Sequence, residues 1–263
     1  RYNRIERALV GLVAVMALSF VASAALIGPD FGAIAMGFVP GVPSGSLYLI
    51  TGLIGTTIVG YNLFLHASNV QERWSGPEDI GHSRTDTILS IVVGGVITLT
   101  IMVTAAAAFE PGTQISDVGR MAEQLRPLAG PYAELFFSIG LFAAGFTSAT
   151  TAPLAGAWAT TGALGWDSDM QSTRFRAVWG TILGVGVLSV LLGGSPVEII
   201  VFAQVVNGIL LPIVAIFLIY AMNQEDLLGE YTNGPVANAL GAIVTIVVVW
   251  LGVRTILDVA GVL

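Results

Sequence analysis

The 263 residues contain no cysteine and no lysine, and charged side chains make up only 10% of them. Without cysteine, disulfides and thiolate metal sites are excluded, and the redox compartment is left open. So little charge excludes an ordinary soluble domain, about a quarter of which is charged. The ten basic residues are all arginine and scattered, so there is no basic nucleic-acid patch. Phosphate-binding loops and zinc motifs are missing too. Serine has no base at readable spacing, and PSGS at 43–46 sits in a loop rather than at a hydrolase elbow. His66 and His82 are the only histidines, and His82 is expected in a loop, so the chain is not read as an enzyme. Carboxylates are missing from mid-span: all seventeen acidic residues are expected in loops or at helix ends, with Glu134 and Glu198 opening helices, Asp86 just before one and Asp258 closing the last.

What fills the chain is hydrocarbon. Hydrophobic residues reach 55% and mean hydropathy is +0.84. A bilayer core of ~30 Å takes ~20 apolar residues per helix. Seven runs qualify, at 8–27, 47–69, 87–109, 134–164, 175–193, 198–221 and 236–258, and none alternates as barrel strands do. The reading is an all-α multi-pass membrane protein of seven transmembrane helices, residues 1–263 forming a single transmembrane domain. The first run is too long for a signal peptide. The absence of a starting methionine and the opening on the polar flank of a helix suggest a fragment. With a cytoplasmic N-terminus, seven arginines lie inside (1, 4, 7, 73, 84, 174, 176) and three outside (120, 126, 254), the arrangement the positive-inside rule favours. Small residues at Gly180 and Gly184, and at Ser138, Gly145, Ser148 and Thr151, predict close helix packing.

Polar residues inside spans are few and grouped. In TTIVGYNLFLHASN, 56–69, Asn62 and His66 stand at i and i+4 with Asn69 three residues on, along one helical face. Just before them Thr56, Thr57, Val59 and Gly60 form a sequence that tolerates unwinding, and a break at mid-membrane frees carbonyls for a cavity or an ion. In FAQVVNGILLPIV, Gln204 and Asn207 share a face, and Gly208 with Pro212 can bend or open the helix behind them. Their amide carbonyls suit a hard cation or its water shell. Two readings stand for both patches: hydrogen-bonding glue between helices, or the lining of a pathway, with His66 as a titratable proton carrier.

Several segments together resemble the Nramp family of divalent metal transporters. They are YNRIERALVGLVAVMALSFVAS at 2–23, NLFLHAS at 62–68, SRTDTILSIVVGG at 83–95, LFAAGFTSATTAPLAG at 141–156 and AQVVNGILLPI at 203–213. The resemblance implies a LeuT-like fold of two inverted repeats with substrate at the midplane between broken helices. This chain would supply helices five to eleven: the last helix of the first repeat, the whole second repeat and one more. The missing N-terminal half would carry the Asp-Pro-Gly-Asn motif that ligates metal, so these residues alone are expected not to transport. By the same resemblance Thr56 offers its backbone carbonyl, and Val59 takes the selectivity position where the family has methionine. Asn62, Gln204 and Asn207 line the hydrated ion, and Gly60 marks the helix break. Tyr61 replaces the family's first histidine on the proton and ion route, whereas His66 matches the second.

The function implied is alternating-access transport of Mn²⁺- or Fe²⁺-type cations, with or without proton coupling, in a cell membrane. No resident cofactor is implied, and the partners are the ion, the lipid bilayer and the missing half. Loss of the soft sulfur at Val59 also fits a related branch that carries Mg²⁺, which sheds water reluctantly. An amino-acid carrier of the same fold and a purely structural membrane subunit are the remaining alternatives.

Overall fold

A computed structural model describes the backbone of residues 2–39, 41–57, 59–110, 112–113, 115, 117–193 and 195–262, and leaves the side chains of residues 2–6, 61, 64, 68 and 72 outside the description. Among the described residues there is no strand. The helices are α1 Tyr2–Ile27, α2 Phe31–Gly37, α3 Leu47–Thr57, α4 Gly60–Arg73, α5 Ile80–Ala108, α6 Val118–Met121, α7 Arg126–Ala129, α8 Ala133–Ala163, α9 Thr173–Leu191, α10 Pro196–Ala221, α11 Glu225–Leu228 and α12 Pro235–Val259. Among the described residues six helical stretches, carried by α1, α5, α8, α9, α10 and α12, are long and apolar enough to cross a membrane. The run at 47–69 is not a seventh continuous helix, because its two pieces hold 11 and 14 residues on either side of an interruption.

The boundaries have local causes. Asp30 caps α2, its Oδ1 accepting from the amides of Gly32 and Ala33 at 2.8 and 3.2 Å. Prolines 196 and 235 open α10 and α12, where a missing amide costs nothing. At the end of α8, Gly165 has φ +64°, which lets the Trp166 amide donate to the Thr161 carbonyl at 2.8 Å and the Gly165 amide to Gly162 at 3.2 Å. Helix α5 begins earlier than expected, since Pro77–Asp79 forms a 3-10 turn that leads straight into it. His82 and Asp86 therefore lie inside α5, not in a loop or ahead of the helix.

The chain forms two compact units, Arg1–Pro40 with His66–Gly186, and Gly41–Leu65 with Val187–Leu263. In the first, α1, α5 and α8 pack together beneath the connector between α5 and α8. Phe20, Ala122, Leu125, Ala133 and Phe137 form the core, with the Phe20 and Phe137 rings edge to face at 6.4 Å. The connector, expected to be a loop, is anchored by Gln124: its carbonyl accepts from Ser23 Oγ at 2.8 Å, and the Thr104 hydroxyl lies 3.2 Å from its Oε1. A cavity of about 670 Å³ lined by Asp117, Arg120, Glu123, Arg126 and Glu134 opens on this connector. Packing in this unit uses only part of the small-residue stretch predicted for it: Thr151 is half-buried, Ala143 and Ala155 beside it are fully buried, and a methyl on Gly156 would lie 2.7 Å from Ile182 Cδ1. Ser138, Gly145 and Ser148 are exposed, and a methyl group on Gly145, Gly180 or Gly184 would meet nothing within 4 Å. Phe137, Gly140 and Ala143 are buried instead, because they lie on the face of α8 turned to its neighbours.

In the second unit α3, α10 and α12 pack together. With no hydrophobic drive between helices in lipid, close van der Waals fit and interhelical hydrogen bonds must hold them. The buried hydroxyls of Thr51 and Thr255 share a 2.6 Å hydrogen bond between α3 and α12. Asn223 and Asn238 exchange two amide hydrogen bonds, at 2.8 and 2.6 Å, and join the end of α10 to the start of α12.

Candidate metal pathway

Helix α3 stops at Thr57, Val59 is not helical, and α4 starts at Gly60. Of the four residues singled out for an unwound segment, Thr56, Thr57 and Gly60 thus flank a real interruption and Val59 lies in it; Ile58 lies outside the described residues. Two local features shape it. The Thr56 hydroxyl donates to the Gly52 carbonyl at 3.1 Å and the Thr57 hydroxyl to the Ile54 carbonyl at 2.7 Å, so both side chains turn back onto their own helix. Beyond the interruption the Asn62 amide donates to the Val59 carbonyl at 2.9 Å and begins the first turn of α4. The last carbonyls of α3, that of Thr56 among them, belong to a helix end, where the backbone dipole places partial negative charge. That is a setting for a cation.

A close approach of backbones fixes what stands beside this end. A methyl group on Gly55 would meet the Gln204 carbonyl and, at 2.5 Å, the Gly208 amide nitrogen; one on Gly208 would meet the Thr51 carbonyl. Only glycine permits that distance. The final turn of α3 is therefore set against the turn of α10 that carries Gln204 and Asn207. Both amides are half-buried, and Asn207 Nδ2 donates to Gln204 Oε1 at 3.0 Å. That bond occupies the Gln204 carbonyl and leaves Asn207 Oδ1 as the pair's other side-chain acceptor. Helix α10 runs through Pro212 without interruption, so Pro212 does not break it. The effect of Pro212 is smaller: lacking an amide, it leaves the Gly208 carbonyl, four residues back, without its helical donor. Helix α12 accommodates the proline ring at Gly252, whose added methyl would lie 3.3 Å from Pro212 Cγ.

The remaining predicted residues divide. Val59 is buried, 5% exposed, whereas Asn62 is exposed and, among the described residues, is not hydrogen-bonded to Gln204 or Asn207. Gly60 begins α4 close to Val214, 3.4 Å from its added methyl. His66 belongs to the first unit, where its Nε2 lies 3.3 Å from Thr87 Oγ1 of α5. Lower on the same two helices Arg73 and Asp86 form an exposed ion pair at 3.7 Å. The side chain of Tyr61 lies outside the described residues.

Among the described residues no three of His, Cys, Asp and Glu come together as a metal cluster. What this region offers an ion is neutral oxygen, from helix-end carbonyls and amide side chains, chemistry that suits a hard or partly hydrated cation. Sequence reading missed Thr51, Gly52, Gly55 and Thr255, which hold α3 in place. The signal available was the three-residue spacing of Gly52 and Gly55 just ahead of the unwinding sequence.

The family model described as natural resistance-associated macrophage protein-like matches residues 1–258. The chain is similar to the divalent metal cation transporter MntH of Brucella suis, 29% identical over 273 residues that cover 98% of this chain and 59% of that protein. MntH of Ralstonia nicotianae is 30% identical, covering 95% of this chain and 61% of its own length. MntH 1 of Pseudomonas aeruginosa is 32% identical, covering 91% and 58%. The chain thus spans about three fifths of the length of the relatives it matches.

Proposed function

The chain belongs to the Nramp family, and from that membership we propose that it forms the larger part of a secondary transporter for divalent metal cations that works by alternating access. The observation that supports this most is the interruption of the 47–73 helix, with the carbonyl end of α3 fixed by backbone contact against the Gln204–Asn207 turn. In this reading the Thr56 carbonyl, Asn62, Gln204 and Asn207 line the ion, Asn207 through its Oδ1 and Gln204 through the second lone pair of the Oε1 that already accepts from Asn207. Val59 sits where selectivity is set, and His66, with Tyr61 near it in sequence, serves the inner route for ions or protons. The chain corresponds to helices five to eleven of the LeuT-like arrangement, with its N-terminus on the cytoplasmic side of a cell membrane, and a first-half segment supplies the remaining ligands.

Two cargoes follow from one position. A divalent metal cation follows from the names of the relatives taken together with the chain-long match, and the resemblance to the family makes Mn²⁺ or Fe²⁺ the first candidate. Mg²⁺ is favoured by one feature: Val59 brings no sulfur, and the neutral oxygens around it suit an ion that keeps its water. Uptake of Mn²⁺ and Mg²⁺ by the full-length protein and its Val59→Met variant decides between them. Methionine should raise the preference for Mn²⁺; an unchanged ratio removes Val59 from the selectivity position, and no uptake of either ion by the parent protein removes the proposal.

A further inference from the structure

Thr87 makes two contacts that a single hydroxyl cannot make in the same way. Its Oγ1 lies 2.8 Å from the Ser83 carbonyl and 3.3 Å from His66 Nε2. A carbonyl only accepts, so the one hydroxyl hydrogen is committed to Ser83, and toward His66 the oxygen can only accept. Nε2 must then carry hydrogen. A neutral imidazole has one N–H, which leaves Nδ1 bare. We propose that Thr87 is a positioning residue that holds neutral His66 as the Nε2–H tautomer and makes Nδ1 its only point of proton entry and exit. The importance of this for transport rests on the reading of His66 as a pathway residue.

The step balances simply. A proton from water adds to the Nδ1 lone pair and gives the imidazolium; the Nε2–H bond to Thr87 is made in both states and is not broken. Release returns the same proton from Nδ1. A ring that takes a proton at one nitrogen and gives one up at the other would have to lose the Thr87 contact each cycle. His66 so held is a store with one door rather than a relay. Besides His66, the charged and titratable groups on the two helices in contact here are Tyr61, Glu72, Arg73, His82, Arg84 and Asp86; the side chains of Tyr61 and Glu72 lie outside the description, Arg73 and Asp86 are paired with each other, and among the described side chains Thr87 is the group bonded to the ring.

The test is solid-state nitrogen NMR of the full chain in lipid bilayers with labelled histidine. Only two histidines are present, so His82→Gln assigns the signals. At a pH where His66 is neutral, the expected spectrum shows Nε2 protonated and Nδ1 bare. Thr87→Val should add a measurable Nδ1–H population, and Thr87→Ser should remove it again. A native spectrum with Nδ1 protonated overturns the proposal by itself, even where a variant fails to fold. So does a Thr87→Val spectrum identical to the native one. Ion uptake by the full-length protein separates the two readings: a locked tautomer in a full-length protein that carries no divalent cation leaves Thr87 standing and removes the pathway role of His66.

Discussion

Replacing Gly55 by alanine tests the contact on which the candidate site depends. The added methyl would lie 2.5 Å from the Gly208 amide nitrogen and closer still to the Gln204 carbonyl, whereas ordinary contact begins at 3.4 Å. Both opposing groups are backbone within a continuous helix, so no side chain can swing away. The helices must part by roughly an ångström, an overpacking that costs up to ~3 kcal/mol. Alanine's better helix propensity offsets ~1 kcal/mol of that. The net loss of about 2 kcal/mol is a roughly thirtyfold shift toward the unfolded state. Denaturant titration of the purified protein in micelles, followed by circular dichroism, reads it directly. Gly180→Ala and Gly184→Ala are internal controls, since a methyl there meets nothing within 4 Å and should be neutral or stabilising by up to ~1 kcal/mol. On the proposed assignment of Thr56 and Asn207 to the ion, metal binding by the full-length protein should also weaken in Gly55→Ala, because the turns that carry them are forced apart. If Gly55→Ala is as stable as Gly180→Ala, the backbone contact between α3 and α10 is not what sets this geometry.

Three further outcomes are expected. In a double-mutant cycle of Thr51→Val and Thr255→Val, unfolding free energies should show a coupling of ~0.6–1.7 kcal/mol for their interhelical bond, and no coupling would mean the hydroxyls do not bond in the bilayer. Gln124→Leu should lower the melting temperature through loss of one side-chain bond worth ~1 kcal/mol, while the backbone bond from Ser23 survives; an unaltered melting curve counts against the anchor. Breaking the exposed Arg73–Asp86 pair by Asp86→Asn should change stability by less than ~1 kcal/mol, and the difference should fade in high salt.

The long spans were legible because lipid imposes a single solution, some twenty apolar residues in a helix with its backbone satisfied internally. The interruption near Val59 could be anticipated for a related reason: Thr56, Thr57 and Gly60 are poor companions for an unbroken apolar helix. Which small-residue face is used could not be read. Gly180 and Gly184 have the spacing of a packing motif but stand open, whereas Gly55 and Gly208 are met by backbone and Gly52 by the Val205 side chain, and spacing along one helix carries no information about its neighbour. The start of α5 was placed too late because its first turns are polar and project beyond the apolar run. Gln124 escaped notice because its partners, Ser23 and Thr104, lie 101 and 20 residues away in sequence.

The connector between α5 and α8 bears on how this protein can be cut and tagged. Leu125 is fully enclosed and Gln124 nearly so, which makes a polar stretch that looks like a tether into a seated plug. Proteases should spare residues 122–126 while cleaving the exposed 41–45 stretch, and an epitope inserted at the latter should leave the protein intact. The same insertion beside Gln124 would pull the stopper from its seat.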